Sequence, residues 1–267
     1  MDLYHALQSL VDQIPSGRVV TCAGLARALG DPRAAPVVRR WADAHGLEQV
    51  VDDTVGHVDV FTSFNTDFPL EELRREQRAL RRRVVLKDDC GPVETVAGVD
   101  VAYAGDLAYG AYVEMNAEGE TLRSDRVSAV VRFPYIPTYL AYREGPVLER
   151  LLRGRRPSLV MVDGNGVLHP RGCGLACHLG VTHDLPVIGV AKSLLCGEVR
   201  DGGGIYMEGE LVGMAVGEDR PVYVSPGHRV TVDTAAEVTR SWQRHRIPEP
   251  LRRAHILATR TKNENAL

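Results

Sequence analysis

Apolar residues recur at helical spacing near the start of the chain. Leu3, Leu7, Leu10 and Val11 fall on one face, and Pro15-Ser16-Gly17 ends the pattern. Thr21 is placed to cap a second short helix carrying Leu25, Ala26 and Leu29. Gly30-Asp31-Pro32 reads as a turn, and a third helix is expected over Val37 to Ala44. Three short helices fit a helix-turn-helix module, although small helical bundles without a nucleic-acid role read the same way. Gly46 to Asn65 has no clear period and reads as a linker or the remnant of a wing. Pro69 to Val85 returns to helical spacing and carries Arg74, Arg75, Arg78, Arg81, Arg82 and Arg83. Such a run is either a solvated face or a phosphate-facing surface.

From Thr95 the pattern changes to strands. TVAGVDVAY, LAYGAYVEM and RVSAVVRF are β-rich runs separated by turn residues. Tyr139 to Leu152 reads as a helix, while SLVMVDGN and LPVIGVAK are continuous apolar strands. Three meandering strands followed by helix, strand, helix and strand predict an α/β fold. The expected architecture is an RNase H-like mixed sheet with flanking helices, behind a small helical, winged-helix-like N-terminal domain.

Composition narrows the picture slightly. The 267 residues are 44% hydrophobic and 25% charged with a formal net charge of -3, so any nucleic-acid surface must be local. Five cysteines without a disulfide-scaffold spacing suit a reducing compartment. No basic leader followed by an apolar core begins the chain, and no run reaches transmembrane length. A cytoplasmic monomer without membrane contact is the expectation.

The candidate chemistry lies in three carboxylates. Asp100 sits inside an apolar strand, where a charge is costly unless paired or bound to a cation. Asp163 ends another strand, at the edge where α/β folds place ligands, and Glu144 lies on the helix between them. If they converge, they form an oxygen-rich site suited to Mg²⁺, although a lone Asp at a strand end is more often a helix cap or turn residue. Lys192 could neutralise a phosphate or pair with a carboxylate, and His228 could orient water or bind metal, although a lone Lys or His is most often a surface group. HPRGCGLACH brings His169, Cys173, Cys177 and His178 close in sequence, yet one-turn spacing suits small core residues better than zinc. In FPYIPTYLAYREG, Pro134 and Pro137 stiffen a turn holding Tyr135 and Ile136. Those two side chains either fold onto the core or serve a surface role.

VAGVDVAY, FPYIPTYLAYREGPVLERLL, LVMVDGNGVLHPRGCGLACHLG, LPVIGVAKSLLCG, VSPGHRVTVDTA and HRIPEPLRRAH together resemble the endonuclease V family, from about Phe68 to Thr259. The resemblance implies a nuclease dependent on Mg²⁺, with Mn²⁺ as a substitute, that nicks at the second phosphodiester 3′ to hypoxanthine in DNA. It implies that Asp100, Glu144 and Asp163 bind the metal, that Lys192 meets the scissile phosphate, and that His228 assists. It makes Pro134, Tyr135, Ile136 and Pro137 a wedge that separates strands, and Leu140, Gly164, Gly166, Gly174 and Leu195 the base pocket. Thr138 stands where many members have Gly.

Residues Tyr4 to His45 resemble the DNA-binding part of O6-alkylguanine-DNA alkyltransferases. The PCHR segment that carries that family's acceptor cysteine is missing, Pro36 replaces its base-flipping Arg, and Cys22 replaces its DNA-contacting Tyr. Cys22 is therefore not an alkyl acceptor. The expected domains are an alkyltransferase-like module with linker over 1–62 and a nuclease over 63–267. The expected partner is DNA with deaminated bases. An inosine-specific ribonuclease acting on RNA and a non-catalytic sensor of deaminated or alkylated bases are the competing readings.

Overall fold

The computed structural model describes residues 1–54, 59–89 and 91–265. Packing divides the chain into two compact units, Met1–Glu76 with Arg132–Tyr139, and Gln77–Val131 with Leu140–Leu267.

In the first unit, helix α1 (Leu3–Val11) buries the predicted stripe, and Asp2 caps it by accepting from the His5 N–H. Strand β1 (Val20–Thr21) leads into α2 (Cys22–Ala28), where Thr21 accepts from the Gly24 N–H at 3.0 Å as its position required. A short 3-10 turn, Pro32–Ala34, precedes α3 (Ala35–His45). That helix starts two residues before the expected point because Pro36 sits in its first turn, where a missing N–H costs nothing. Part of the segment read as linker is ordered: β2 (Val50–Val51) pairs in parallel with β1, and Val60 bridges to Val19.

The expected boundary after residue 62 is not where packing divides the chain. Helix α4 (Pro69–Arg81) begins in the first unit, tied to the turn after α2. Leu70 N–H donates to the Leu29 carbonyl at 2.8 Å, and Arg74 donates to the Gly30 carbonyl at 2.7 Å. Gly30 has φ +102°, and a methyl group there would lie 2.9 Å from the Glu71 nitrogen, so only glycine fits this contact. The division falls inside α4, and the helix stops at Arg81 instead of running to Val85.

The second unit is built on one nine-stranded sheet ordered β5-β4-β3-β6-β7-β11-β10-β9-β8. Strands β3 (Thr95–Ala104), β4 (Leu107–Asn116) and β5 (Thr121–Val130) are the expected antiparallel meander. Helix α5 (Leu140–Leu152), β6 (Leu159–Asp163), α6 (Leu175–His183) and β7 (Val187–Ala191) follow in the expected order. Strands β3, β6 and β7 run parallel. Beyond β7 the sheet gains β8 (Glu198–Val199), β9 (Gly204–Met207), β10 (Glu210–Val216) and β11 (Val222–His228), which were not foreseen. Helices α7 (Val232–Trp242) and α8 (Glu249–Glu264) close the chain.

Alternation along the central strands explains the layers. Ala97, Val99, Val160 and Val162 pack with Leu148, Leu151 and Leu179 of α5 and α6. Val96, Leu159 and Met161 pack with Ala235, Ala236 and Leu251 of α7 and α8. Both faces are covered, which is why these strands read as continuous apolar runs.

Candidate active site

The register of β3 and β6 creates the site. Val96 pairs with Leu159 and Val99 with Val162, so the next step places Asp100 beside Asp163 on neighbouring parallel strands. Such strands lie about 4.8 Å apart, and equivalent positions point to the same face. Asp163 pairs in turn with Val190 of β7, and Lys192 follows that strand's last residue. The Lys192 ammonium is hydrogen-bonded to Asp163 Oδ2. Asp100 is buried and lies 2.6 Å, through Oδ2, from His255 Nδ1 on α8.

That histidine is in place because α8 lies flat on β3. Gly98 permits it: a methyl group there would stand 2.2 Å from the Pro250 carbonyl oxygen. At the head of α8, Glu249 is 6% exposed and accepts from Arg252 and Arg253 at 2.7 to 2.9 Å. Burial opposes its charge, but the Arg252 hydrogen bond outweighs burial, and Arg253 adds to it, holding the carboxyl at about 2. Arg246 braces the other side, donating to the carbonyls of Lys192 at 2.6 Å and Arg220 at 3.1 Å.

The three carboxylates are electrostatically coupled. Burial pushes the Glu144 carboxyl well above the usual carboxylate range, and the charges of Asp100 and Asp163 push it the same way. Burial and then the Asp163 charge raise Asp100, against the His255 hydrogen bond. Burial works against the Lys192 ammonium, yet Asp163 outweighs it and the pKa is raised. Carboxylates that repel one another in a shielded place favour either a proton or a cation. Among the described residues, no three His, Cys, Asp or Glu side chains stand as a ready-made ligand group; Asp163 is hydrogen-bonded to Lys192 and Asp100 to His255.

The profile of the family described as Endonuclease V matches residues 78–256, which contain every residue of this cluster. The chain belongs to the endonuclease V family. It is accordingly an endonuclease, a phosphodiester hydrolase. An endonuclease V from Thermofilum pendens is 45% identical over 207 residues, covering 72% of this chain and 89% of that protein. A protein of Picrophilus torridus named bifunctional methyltransferase/endonuclease is 31% identical and covers 100% of this chain and 99% of its own. The fold is similar to Ciona intestinalis endonuclease V in complex with a 24mer DNA containing an inosine followed by a ribo-adenosine. That match has a TM-score of 0.68 and 28% identity, and covers 74% of this chain and 99% of that one.

Within this chain the expected residues are not all together. Asp100, Asp163 and Lys192 come together and the charges of both aspartates act on Glu144, but His228 does not join them. It pairs with Val187, three residues before Val190 on β7, and so lies about 10 Å along the strand from the level of Asp163. Its Nδ1 accepts from the Val85 N–H at 3.2 Å, and its Nε2 is 3.5 Å from Asp184. The histidine that reaches the carboxylates is His255, which closes the quoted segment HRIPEPLRRAH and had been given no role. Tyr103 was also missed: its ring carries the Arg143 guanidinium at 4.1 Å, and burial followed by the Glu144 charge raises its hydroxyl pKa.

Of the expected base pocket, Leu140 and Gly164 are neighbours, with 3.6 Å between Leu140 Cδ2 and the place of a methyl group on Gly164. Gly166 and Gly174 are joined by a 2.9 Å backbone hydrogen bond. A methyl group on Gly166 would lie 2.0 Å from the Pro226 carbonyl oxygen, so this glycine serves backbone packing. Leu195 is exposed beyond β7. Cys173 and Cys177 are buried with Leu80, Val167 and Val181, which is the core role their spacing favoured over zinc.

The proline turn belongs to the first unit. Tyr135 is 57% exposed while Ile136 is 1% exposed, so of the two expected wedge side chains only Tyr135 stands at the surface. Pro134 is buried and Pro137 exposed. Tyr139 is buried and its hydroxyl donates to Asp31 Oδ2 at 2.6 Å.

Proposed function

We propose that this chain nicks hypoxanthine-containing DNA at the second phosphodiester 3′ to the lesion, as a repair enzyme for deaminated adenine. The observation that carries the reading is the side-by-side placement of Asp100 and Asp163 with Glu144 electrostatically coupled to both. Support for the substrate comes from the inosine-containing DNA bound by the Ciona relative.

The donor set fits Mg²⁺, or Mn²⁺ in its place: hard carboxylate oxygens whose mutual repulsion a divalent cation would relieve. Asp100, Glu144 and Asp163 would hold it. A bound divalent cation would supply an activated water and charge neutralisation at the leaving oxygen. His255 fixes the orientation of the Asp100 carboxylate through Nδ1. Lys192, kept protonated by Asp163, offers its ammonium to a phosphate oxygen, and Arg246 fixes the backbone that carries it. Tyr135 is the exposed ring available to stack where strands part. A duplex with one hypoxanthine, incubated with and without Mg²⁺, tests the reading by the presence and position of a nick.

An inosine-specific endoribonuclease is the second reading, kept because the DNA in the Ciona complex carries a ribo-adenosine after the inosine. Rates on matched inosine-DNA and inosine-RNA separate the two. Alkyl transfer receives no support despite the name of the Picrophilus relative. Cys22 is buried and burial raises its thiol pKa, the reverse of what a nucleophilic thiolate needs.

A further inference from the structure

The first unit contains eight arginines and no lysine against twelve Asp and Glu residues, so it is net acidic. Arg39, on the exposed side of α3, is already paired with Asp43 and Asp52. A phosphate-gripping arm would have the opposite balance.

The same unit does grip something else. The segment Arg132–Tyr139, which interrupts the second unit between β5 and α5, packs with residues 1–76. Phe133, Ile136 and Tyr139 are buried there. Tyr139 donates to Asp31, a carboxylate 1% exposed, and its hydroxyl also lies 3.3 Å from the Leu70 carbonyl. Asp31 is itself fixed, accepting from the Arg33 N–H at 2.9 Å and lying 3.5 Å from the Arg33 guanidinium. At the other end of the segment Arg132 donates to Asp2 at 3.2 Å. Between these ties Thr138 has φ +74°, a conformation a β-branched residue adopts only when its surroundings impose it.

We propose that the N-terminal unit is the anchor of the proline turn. Its buried Asp31, through Tyr139, fixes the backbone that presents Tyr135, and so sets how well a lesion in duplex is recognised relative to one in single strand. Asp31 and Tyr139 are positioning residues. The proposal rests on the reading of Tyr135 as the strand-separating ring. It gives the N-terminal unit a part in substrate selection that needs no phosphate contact of its own.

The test uses the full chain with Mg²⁺ and two oligonucleotides carrying one hypoxanthine, duplex and single-stranded. The readout is the ratio of their kcat/KM values, which a general loss of folded protein does not move. Tyr139→Phe should lower the duplex-to-single-strand ratio about tenfold, the size of one charge-assisted hydrogen bond. Arg132→Ala, at an exposed site that does not threaten the fold, should lower it by less. Tyr135→Ala run in parallel keeps the two ideas apart. If Tyr135→Ala lowers the ratio while the folded Tyr139→Phe and Arg132→Ala variants do not, the anchor proposal is overturned and the wedge reading survives. If Tyr135→Ala leaves the ratio unchanged, the wedge reading fails and the proposal with it. Equal losses on both substrates in Tyr139→Phe also overturn the proposal, since the contact would then serve folding alone.

Discussion

Replacing Glu249 with Gln removes the charge that secures the head of α8, the helix that brings His255 to Asp100. The carboxylate side chain is 8% exposed and faces two guanidiniums, which lower its pKa from 4.5 to about 2. If the unfolded chain titrates normally, that depression corresponds to about 3 kcal/mol of stability at neutral pH. Arg252 and Arg253 are each about a third exposed, so solvent screening reduces the expected effect to about 1.5 kcal/mol. The sign follows from the direction of the shift. A depressed carboxyl contributes fully above its unfolded value of 4.5, and the contribution disappears as pH falls toward about 2. Urea unfolding of wild type and Glu249→Gln at pH 7, 5 and 3 checks this. The difference should be full at pH 7, slightly smaller at pH 5 and much reduced at pH 3. A difference that stays constant across these pH values would refute the charge argument and leave only a shape effect.

Gly98→Ala should force α8 away from β3, because the new methyl group meets the Pro250 carbonyl oxygen at 2.2 Å. Overpacking of this kind costs about 1–3 kcal/mol, and a displacement near 1 Å at His255 would lower kcat by about 100-fold. Thermal melts with single-turnover rates separate the two effects. His255→Ala should lower the nicking rate with little change in Tm, whereas His228→Ala, which removes a buried acceptor for the Val85 N–H, should lower Tm while sparing the rate per folded molecule. Cys173→Ala should leave activity and bound zinc unchanged, as measured by nicking and metal analysis, because the thiol packs among Leu80 and Val167.

Legibility followed how local each feature is. The α1 stripe and the Thr21 cap depend on residues within a turn of one another, and both stood in the pattern. Asp100 was conspicuous because a charge inside VAGVDVAY is costly unless paired or bound to a cation, and its register neighbour Asp163 ended a strand. His255 looked like any polar residue on a basic helix. Its role depends on Gly98 and Pro250 fitting together, a contact between segments more than 150 residues apart. His228 stood in a motif that seemed active, yet its strand runs antiparallel to β7 and carries it away from the carboxylates. Packing divides the chain inside α4 and not in the aperiodic stretch near residue 62. A boundary placed in an aperiodic stretch could not foresee that Arg132–Tyr139 returns to pack with the N-terminal residues.

If Asp100, Glu144 and Asp163 act together as the proposed cation-holding catalytic group, loss of one carboxylate abolishes the nick. The most direct measurement is Mg²⁺-dependent nicking of a duplex with a single hypoxanthine by wild type and Asp163→Ala, with binding of the same duplex followed in parallel. Wild type should nick at the second phosphodiester 3′ to the lesion. In Asp163→Ala the nick should be absent at every Mg²⁺ concentration, while lesion binding stays largely intact. Nicking by Asp163→Ala at a rate near wild type would contradict the proposed grouping.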